Sequence, residues 1–311
     1  DNPITGQVWY NETANTLKVE SATTVGAWAT GGNANTGRQE AGGNGTQTAA
    51  LIYGGRTAPQ TGVTESYNGS AWTEVNDLNT GRSGVTGFGT QTAAIGAGGY
   101  QPTPPYTRAI VESWNGTSWT EVADLGTARY NAAAAGTQTA GLFMGGRAGI
   151  PGPASTNTES WNGSAWTELN DLNTGRYNIG GDGTQTSSLA FGGTPPGSLA
   201  VTESWNGTSW TEVADLNTAR QALGGGGTDN TLAVAFGGKN PPTRYANTEI
   251  WNGSSWSEDT DLNTAKSSQA SAGTSTSALS ATGANPSSSY SNTTEEWTGA
   301  GSPVIRTITA S

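Results

Sequence analysis

A ten-residue phrase recurs along this chain at nearly constant spacing, and no other feature limits the possible folds so tightly. Glu112-Ser113-Trp114-Asn115-Gly116-Thr117-Ser118-Trp119-Thr120-Glu121 returns almost unchanged at 203–212, and close variants fill 65–74, 159–168 and 249–258. Its second tryptophan falls at Trp72, Trp119, Trp166, Trp210 and Trp256, in steps of 47, 47, 44 and 46 residues. A period of about 40–50 residues is that of a propeller blade, a four-stranded sheet that cannot bury its faces alone.

Each unit reads as four strands. One copy runs through a small, Gly-rich stretch (83–88), a turn at Gly89-Thr90-Gln91-Thr92, and a second strand closing on Gly98-Gly99. A variable loop leads to a third strand at 110–114, and Asn115-Gly116 turns the chain into a fourth beginning near Trp119. Asn-Gly is a strong hairpin signal because both residues tolerate positive φ. The Gly-Thr turn occurs six times, at Gly45, Gly89, Gly136, Gly183, Gly227 and Gly273. The double glycine closes five second strands, but the sixth copy has Thr282-Gly283, which is expected to weaken that blade.

The ends of the repeat predict how the ring closes. The last copy stops after its third strand, at Glu295-Glu296-Trp297, and the missing fourth strand stands at the other end of the chain around Trp28. Trp28 lies 44 residues before Trp72 and is therefore in frame. An N-terminal strand completing the last blade removes unpaired sheet edges. The expectation is an all-β, six-bladed propeller over 25–298, preceded by an attachment hairpin at 1–24 and followed by a tail at 299–311. Val304, Ile305 and Ile308 suggest that the tail is buried against a neighbour.

These residues resemble the kelch family of propellers, whose repeats carry a double glycine after strand two, an aromatic in strand three and a tryptophan in strand four. Tyr67/Trp72, Trp114/Trp119, Trp161/Trp166, Trp205/Trp210 and Trp251/Trp256 follow that order with a spacing of five. The resemblance implies the fold and says little about activity, since propellers host unrelated functions. The segment Thr5-Gly6-Gln7-Val8-Trp9-Tyr10-Asn11-Glu12-Thr13 is similar to a short hairpin motif of tailed-phage virion proteins, which precedes fibre or appendage modules. That similarity implies a virion or otherwise extracellular location.

Composition narrows the chemistry. Cysteine and histidine are both absent, which removes thiol nucleophiles, the usual general base and nearly all transition-metal ligation. A formal charge of −11 opposes binding to nucleic acid or anionic membranes. No apolar run approaches the about 20 residues of a membrane-spanning helix. Neither a cofactor, a metal nor an enzymatic activity is expected.

Trp28, Trp72, Trp119, Trp166, Trp210, Trp256, Tyr67, Trp114, Trp161, Trp205, Trp251 and Trp297 occupy the two aromatic positions of the repeat. Their fixed frame points to packing between blades rather than to sugar stacking. Asn-Gly-Ser/Thr at Asn68, Asn115, Asn162, Asn206 and Asn252 matches the glycosylation pattern but is accounted for by the turn. Glu65, Glu112, Glu159, Glu203, Glu249 and Glu295 recur once per blade, as do Asp77…Arg82 and its counterparts. An acidic ring for calcium is one reading, and ion pairs holding the ring in register is the favoured one.

What does not repeat is the loop between strands two and three, at 56–63, 100–108, 147–157, 194–200, 239–247 and 285–292. In an antiparallel blade these loops share a face with the inter-blade connections, and both sets of short turns emerge opposite. Variable loops on a rigid scaffold usually hold binding specificity. The candidate ligand-binding residues are Arg56, Tyr100, Tyr106, Arg108, Arg147, Lys239, Arg244, Tyr245 and Tyr290, since tyrosine and arginine are typical interface anchors. The expected function is a non-enzymatic phage appendage or fibre module contacting a host glycan or another virion protein. The alternatives are a structural virion decoration or assembly protein docked by its terminal segments, or a secreted adhesin or filament subunit.

Overall fold

Glycine pairs and Asn-Gly turns cut the chain into short strands that pair with their sequence neighbours, so nearly all the sheet is local meander. The structure is a computed structural model that describes the backbone of residues 8–11, 16–22, 25–300 and 303–308, with side chains at 8, 10 and 25–300. Six four-stranded antiparallel sheets form, and the described residues contain no helix. Blade one comprises Gly42–Thr46, Ala49–Tyr53, Thr64–Tyr67 and Trp72–Val75, counted outward from the axis. Blades two to five repeat this order, with innermost strands at Thr86–Gly89, Ala133–Thr137, Gly180–Thr184 and Gly224–Asp229. Blade six pairs Ala270–Thr274, Ser277–Ala281 and Thr294–Thr298 with Ala27–Thr30 from the other end of the chain, in the register Trp297↔Trp28. Innermost strands of neighbouring blades touch in an unbroken cycle, so the ring is closed.

Both faces of each blade are covered, which is why the strands do not alternate apolar with polar. Six apolar clusters form, one for each pair of neighbouring blades; Ile52 and Trp72 of blade one, for instance, pack with Leu279 and Ala281 of blade six. The fourth-strand tryptophans reach back to the preceding blade. Trp72, Trp119, Trp210, Trp256 and Trp28 donate their indole N–H to Thr294, Thr64, Thr158, Thr202 and Thr248. Blade two has Val111 in place of that threonine, and Trp166 donates to the Ala123 carbonyl instead.

The repeated charges are buried within this frame. Arg38–Glu65 (2.7 Å), Arg129–Glu159 (2.6 Å), Arg176–Glu203 (3.0 Å), Arg220–Glu249 (2.9 Å), Lys266–Glu295 (3.1 Å) and Arg82–Glu112 each fasten a connection to the blade that follows it. The glutamate also accepts connection N–H groups; Glu65, for example, takes Asn35 N at 2.6 Å. Desolvation lowers the pKa of Arg176 and Arg220, and the paired glutamate works against it. A buried pair of this kind is costly to break by halves, because the survivor is an uncompensated charge.

The double glycine serves the joint between blades. Gly54 and Gly55 have φ of 64° and 107°, and Gly55 N donates to the Arg82 carbonyl of the next blade. A Cβ on Gly54 would stand 2.8 Å from that carbonyl. In blade six Thr282 holds the same left-handed position with φ of 62°. The Asn-Gly turns work differently from a two-residue hairpin. Tyr67 pairs with Trp72 across four residues, only Gly69 has positive φ, and the Asn68 side-chain oxygen accepts the N–H groups of Ser70 and Ala71.

Outside the ring, Val8–Asn11, Thr16–Ala22 and Pro303–Ile308 form one three-stranded antiparallel sheet, so segments from both ends of the chain share it. The burial expected of Val304, Ile305 and Ile308, and any role of the Trp9 side chain, lie outside the described residues.

Candidate functional site

The loop-bearing face is built around a closed ring of backbone. Ahead of each innermost strand one residue takes left-handed φ: Glu40 (59°), Gly84 (63°), Asn131 (53°), Asn178 (54°), Ala222 (54°) and Ser268 (56°). Each donates its N–H to the carbonyl of the equivalent residue in the preceding blade, and Glu40 N to Ser268 O completes the cycle, all at 2.7–2.9 Å. These bonds offset the roughly 1–2 kcal/mol that left-handed geometry costs a residue with a Cβ. Below the ring lies a collar of Ala41, Val85, Ala132, Ile179, Leu223 and Gln269, and together they bound a cup of about 80 Å³. Beyond the collar the axis opens into a cavity of about 300 Å³ walled by the innermost strands.

Asp182 stands on that wall, where other blades have Asn44, Phe88, Ala135, Gly226 and Ala272. Burial among backbone pushes its carboxyl up to about 7, against the opposing bonds it accepts from Gly183 N and Gly227 N.

Four of the nine residues singled out in the sequence sit directly above the ring. Arg56, Tyr100, Arg147 and Lys239 each follow a double glycine and bridge to Gln39, Ser83, Tyr130 and Gln221, the residues just before the ring positions. Tyr106 is 41% exposed and stacks on Tyr100 at 6.5 Å between centroids. Tyr290 stands beside the Arg56 side chain and, with the Glu40 carboxylate, raises the pKa of that guanidinium. Arg244 pairs with Lys239 across a short hairpin. Desolvation lowers the Lys239 pKa, with Arg244 and Arg56 adding to the effect and Glu40 opposing it, so these charges share one field.

Two of the nine fall elsewhere. Arg108 folds back onto its own loop, donating to Thr103 O at 3.3 Å, and Tyr245 is pinned at its loop base between Gly238 O and Lys266 N.

Tyr130 and Tyr177 were not among the nine, and they join the same cluster. Tyr100 meets Tyr130 at 5.8 Å, and the Arg147 guanidinium lies 5.3 Å from the Tyr177 ring centre. Tyr106, Tyr100, Tyr130, Arg147 and Tyr177 thus form one aromatic and cationic arc across blades two to four. Desolvation raises the Tyr130 pKa and the neighbouring Arg147 opposes it. A signal was available in the repeat: the residue after the invariant basic position reads Gln39, Ser83, Tyr130, Tyr177, Gln221, Ser267, variable within an otherwise fixed frame.

Charge separates this face from the rest of the ring. Of the 13 lysines and arginines, six are in the buried pairs and Lys18 and Arg306 belong to the terminal strands. The remaining five (13 − 6 − 2) are Arg56, Arg108, Arg147, Lys239 and Arg244, all in the variable loops.

The opposite face spends its repeated polar groups on the scaffold. Gln47 and Gln185 donate to Trp297 O (2.6 Å) and Trp161 O (2.7 Å) of the preceding blade, and Gln91 and Gln138 do the same at Tyr67 O and Trp114 O. Compared with known proteins, the chain matches no family model and no curated sequence.

Proposed function

We propose that this protein is a non-enzymatic binding module, of kelch-like kind, that holds a glycan on its variable-loop face and serves as an appendage or fibre component of a phage virion. The observation that carries the binding reading is the Tyr106–Tyr100–Tyr130–Arg147–Tyr177 arc above the axial ring. Aromatic faces take the apolar side of a sugar ring, and a guanidinium fork takes its oxygens. The virion reading is supported by the resemblance at residues 5–13. The test is a glycan array probed with the wild-type protein and with Tyr100→Ala/Tyr177→Ala. The double variant is expected to lose at least about tenfold in affinity while melting like the parent. Equal binding by both proteins would remove the loop face from the proposal.

A second reading, a structural assembly protein docked through its ends, is favoured by the sheet that joins Thr16–Ala22 to Pro303–Ile308. Deleting 1–24 and 299–311 separates the two. Loss of virion assembly with glycan binding retained supports docking through the ends, whereas assembly unaffected by the deletion rejects it.

A further inference from the structure

The loop face offers two kinds of surface, and they divide by blade. Blades two to four present the aromatic arc. On the other side of the mouth, Arg56 bridges to Gln39 beside Glu40, Lys239 bridges to Gln221 beside Ala222, two links away in the backbone ring, and Arg244 pairs with Lys239 across a short hairpin, so three cations stand with the one carboxylate of Glu40. In a chain of net charge −11, a local excess of two (three cations less Glu40) needs a reason. Blade packing does not supply one, since the packing cations are the six sealed in glutamate pairs. Nor does the ring, whose N–H groups and carbonyls are engaged with one another.

Desolvation lowers the Lys239 pKa and Glu40 opposes it, while Arg244 and Arg56 add to the lowering, so a minor part of it is repulsion between cations. An anion placed among them relieves that repulsion and accepts charge-assisted hydrogen bonds.

From this we infer that the mouth is an anion subsite, and that the ligand is an acidic saccharide with a carboxylate held by Arg56 and Lys239 while neighbouring sugar rings stack on the tyrosine arc. The inference rests on the reading of the loop face as a glycan site. A saccharide is favoured over an acidic peptide or nucleic acid because one side of the mouth is aromatic and the other cationic. An extended polyanion would also pass over the acidic rim formed by Asp77, Asp124, Asp171, Asp215 and Asp261 at the inter-blade connections. Arg56 matches the planar carboxylate, as a guanidinium fork does generally.

The experiment is calorimetric titration of the full chain with a xylo-oligosaccharide bearing a single glucuronic acid and with its carboxyl-reduced, neutral counterpart, at low and at moderate salt. Wild type is expected to bind the acidic oligomer at least about tenfold more tightly, with the advantage shrinking as salt rises. Arg56→Gln/Lys239→Gln is expected to bring the acidic oligomer down to the neutral level and leave the neutral one unchanged, whereas Tyr177→Ala weakens both. The double glutamine variant is surface-confined, and matching melting curves will show that it folds. Equal binding of the two oligomers by wild type overturns the anion subsite and leaves the glycan reading standing. Acid preference surviving in the double variant overturns its placement at Arg56 and Lys239. Binding of neither oligomer, or binding of an acidic peptide or single-stranded DNA in their place, overturns the inference together with the glycan reading.

Discussion

The two faces of the ring are made by the same backbone and use their polar side chains in opposite ways. On the turn face, the glutamine of each Gly-Thr-Gln turn bonds the neighbouring blade, so a hydrophilic and exposed-looking residue is a structural clamp. On the loop face, the residue after each double glycine, or after Thr282-Gly283 in blade six, holds its place in the frame through a backbone bridge, and its side chain varies as Arg56, Tyr100, Arg147, Thr194, Lys239 and Ala284. A repeated polar residue therefore signals architecture here, and a polar residue that breaks the repeat is released from that duty.

Substitutions can break that contrast or sharpen it. The largest effect is expected beneath both faces: Arg176→Met leaves Glu203 buried without its cation and should cost about 3–5 kcal/mol in urea unfolding. A smaller loss would mean that Glu203 finds water or a proton. On the turn face, Gln185→Ala removes the donor from Trp161 O and Gly141 O and should cost about 1–2 kcal/mol without touching ligand affinity. At the base of the loop face, Thr282→Gly should stabilise by about 1–2 kcal/mol, since it relieves left-handed geometry at a β-branched residue and removes a buried hydroxyl that has no partner. Its melting temperature is the readout, and an unchanged value would show that the blade has relaxed around the threonine. Tyr177→Ala should shift stability by no more than about 0.5 kcal/mol while lowering glycan affinity, the converse of Gln185→Ala.

A pH-dependent effect concerns the axial cavity. Asp182 has a folded-state pKa of about 7, raised from the ordinary carboxylate value near 3.8, so the folded chain holds the proton more tightly than the unfolded one. Its contribution to stability is present at acid pH and is lost as pH rises from about 4 to about 7. Asp182→Asn should flatten that part of the pH profile and leave stability higher at neutral pH, as read by denaturation across the range. An unchanged slope would place the titration elsewhere.

The ring itself was legible because it is periodic: the Trp and Gly-Gly frame specified six blades, and the displaced Trp28 specified how they close. The partner of each repeated charge was not legible. Asp77 and Arg82 lie close in sequence, yet Arg82 pairs with Glu112, thirty residues on, while Asp77 caps the Thr64 N–H. Nor does Asn-Gly reveal whether the asparagine acts through its backbone or its side chain. The candidate site was half visible. Exposed Tyr and Arg in the loops stood out, but Tyr130 and Tyr177 follow the invariant arginine so closely that they read as part of the strand. Only the turn of the chain through left-handed φ at Asn131 and Asn178 brings them to the mouth.

A helix leaves four N–H groups bare at one end and four carbonyls at the other, and so carries a built-in preference for the charge of what docks there. The six-membered cycle from Glu40 to Ser268 has no ends. Every donor in it is spent on an acceptor of the same cycle, and the peptide dipoles run head to tail until they return to their start. Main chain therefore contributes no sign of its own to the mouth, and the sign belongs wholly to a few side chains around it. Exchanging those few residues can turn the mouth from cationic to acidic or neutral while the scaffold beneath them stays the same.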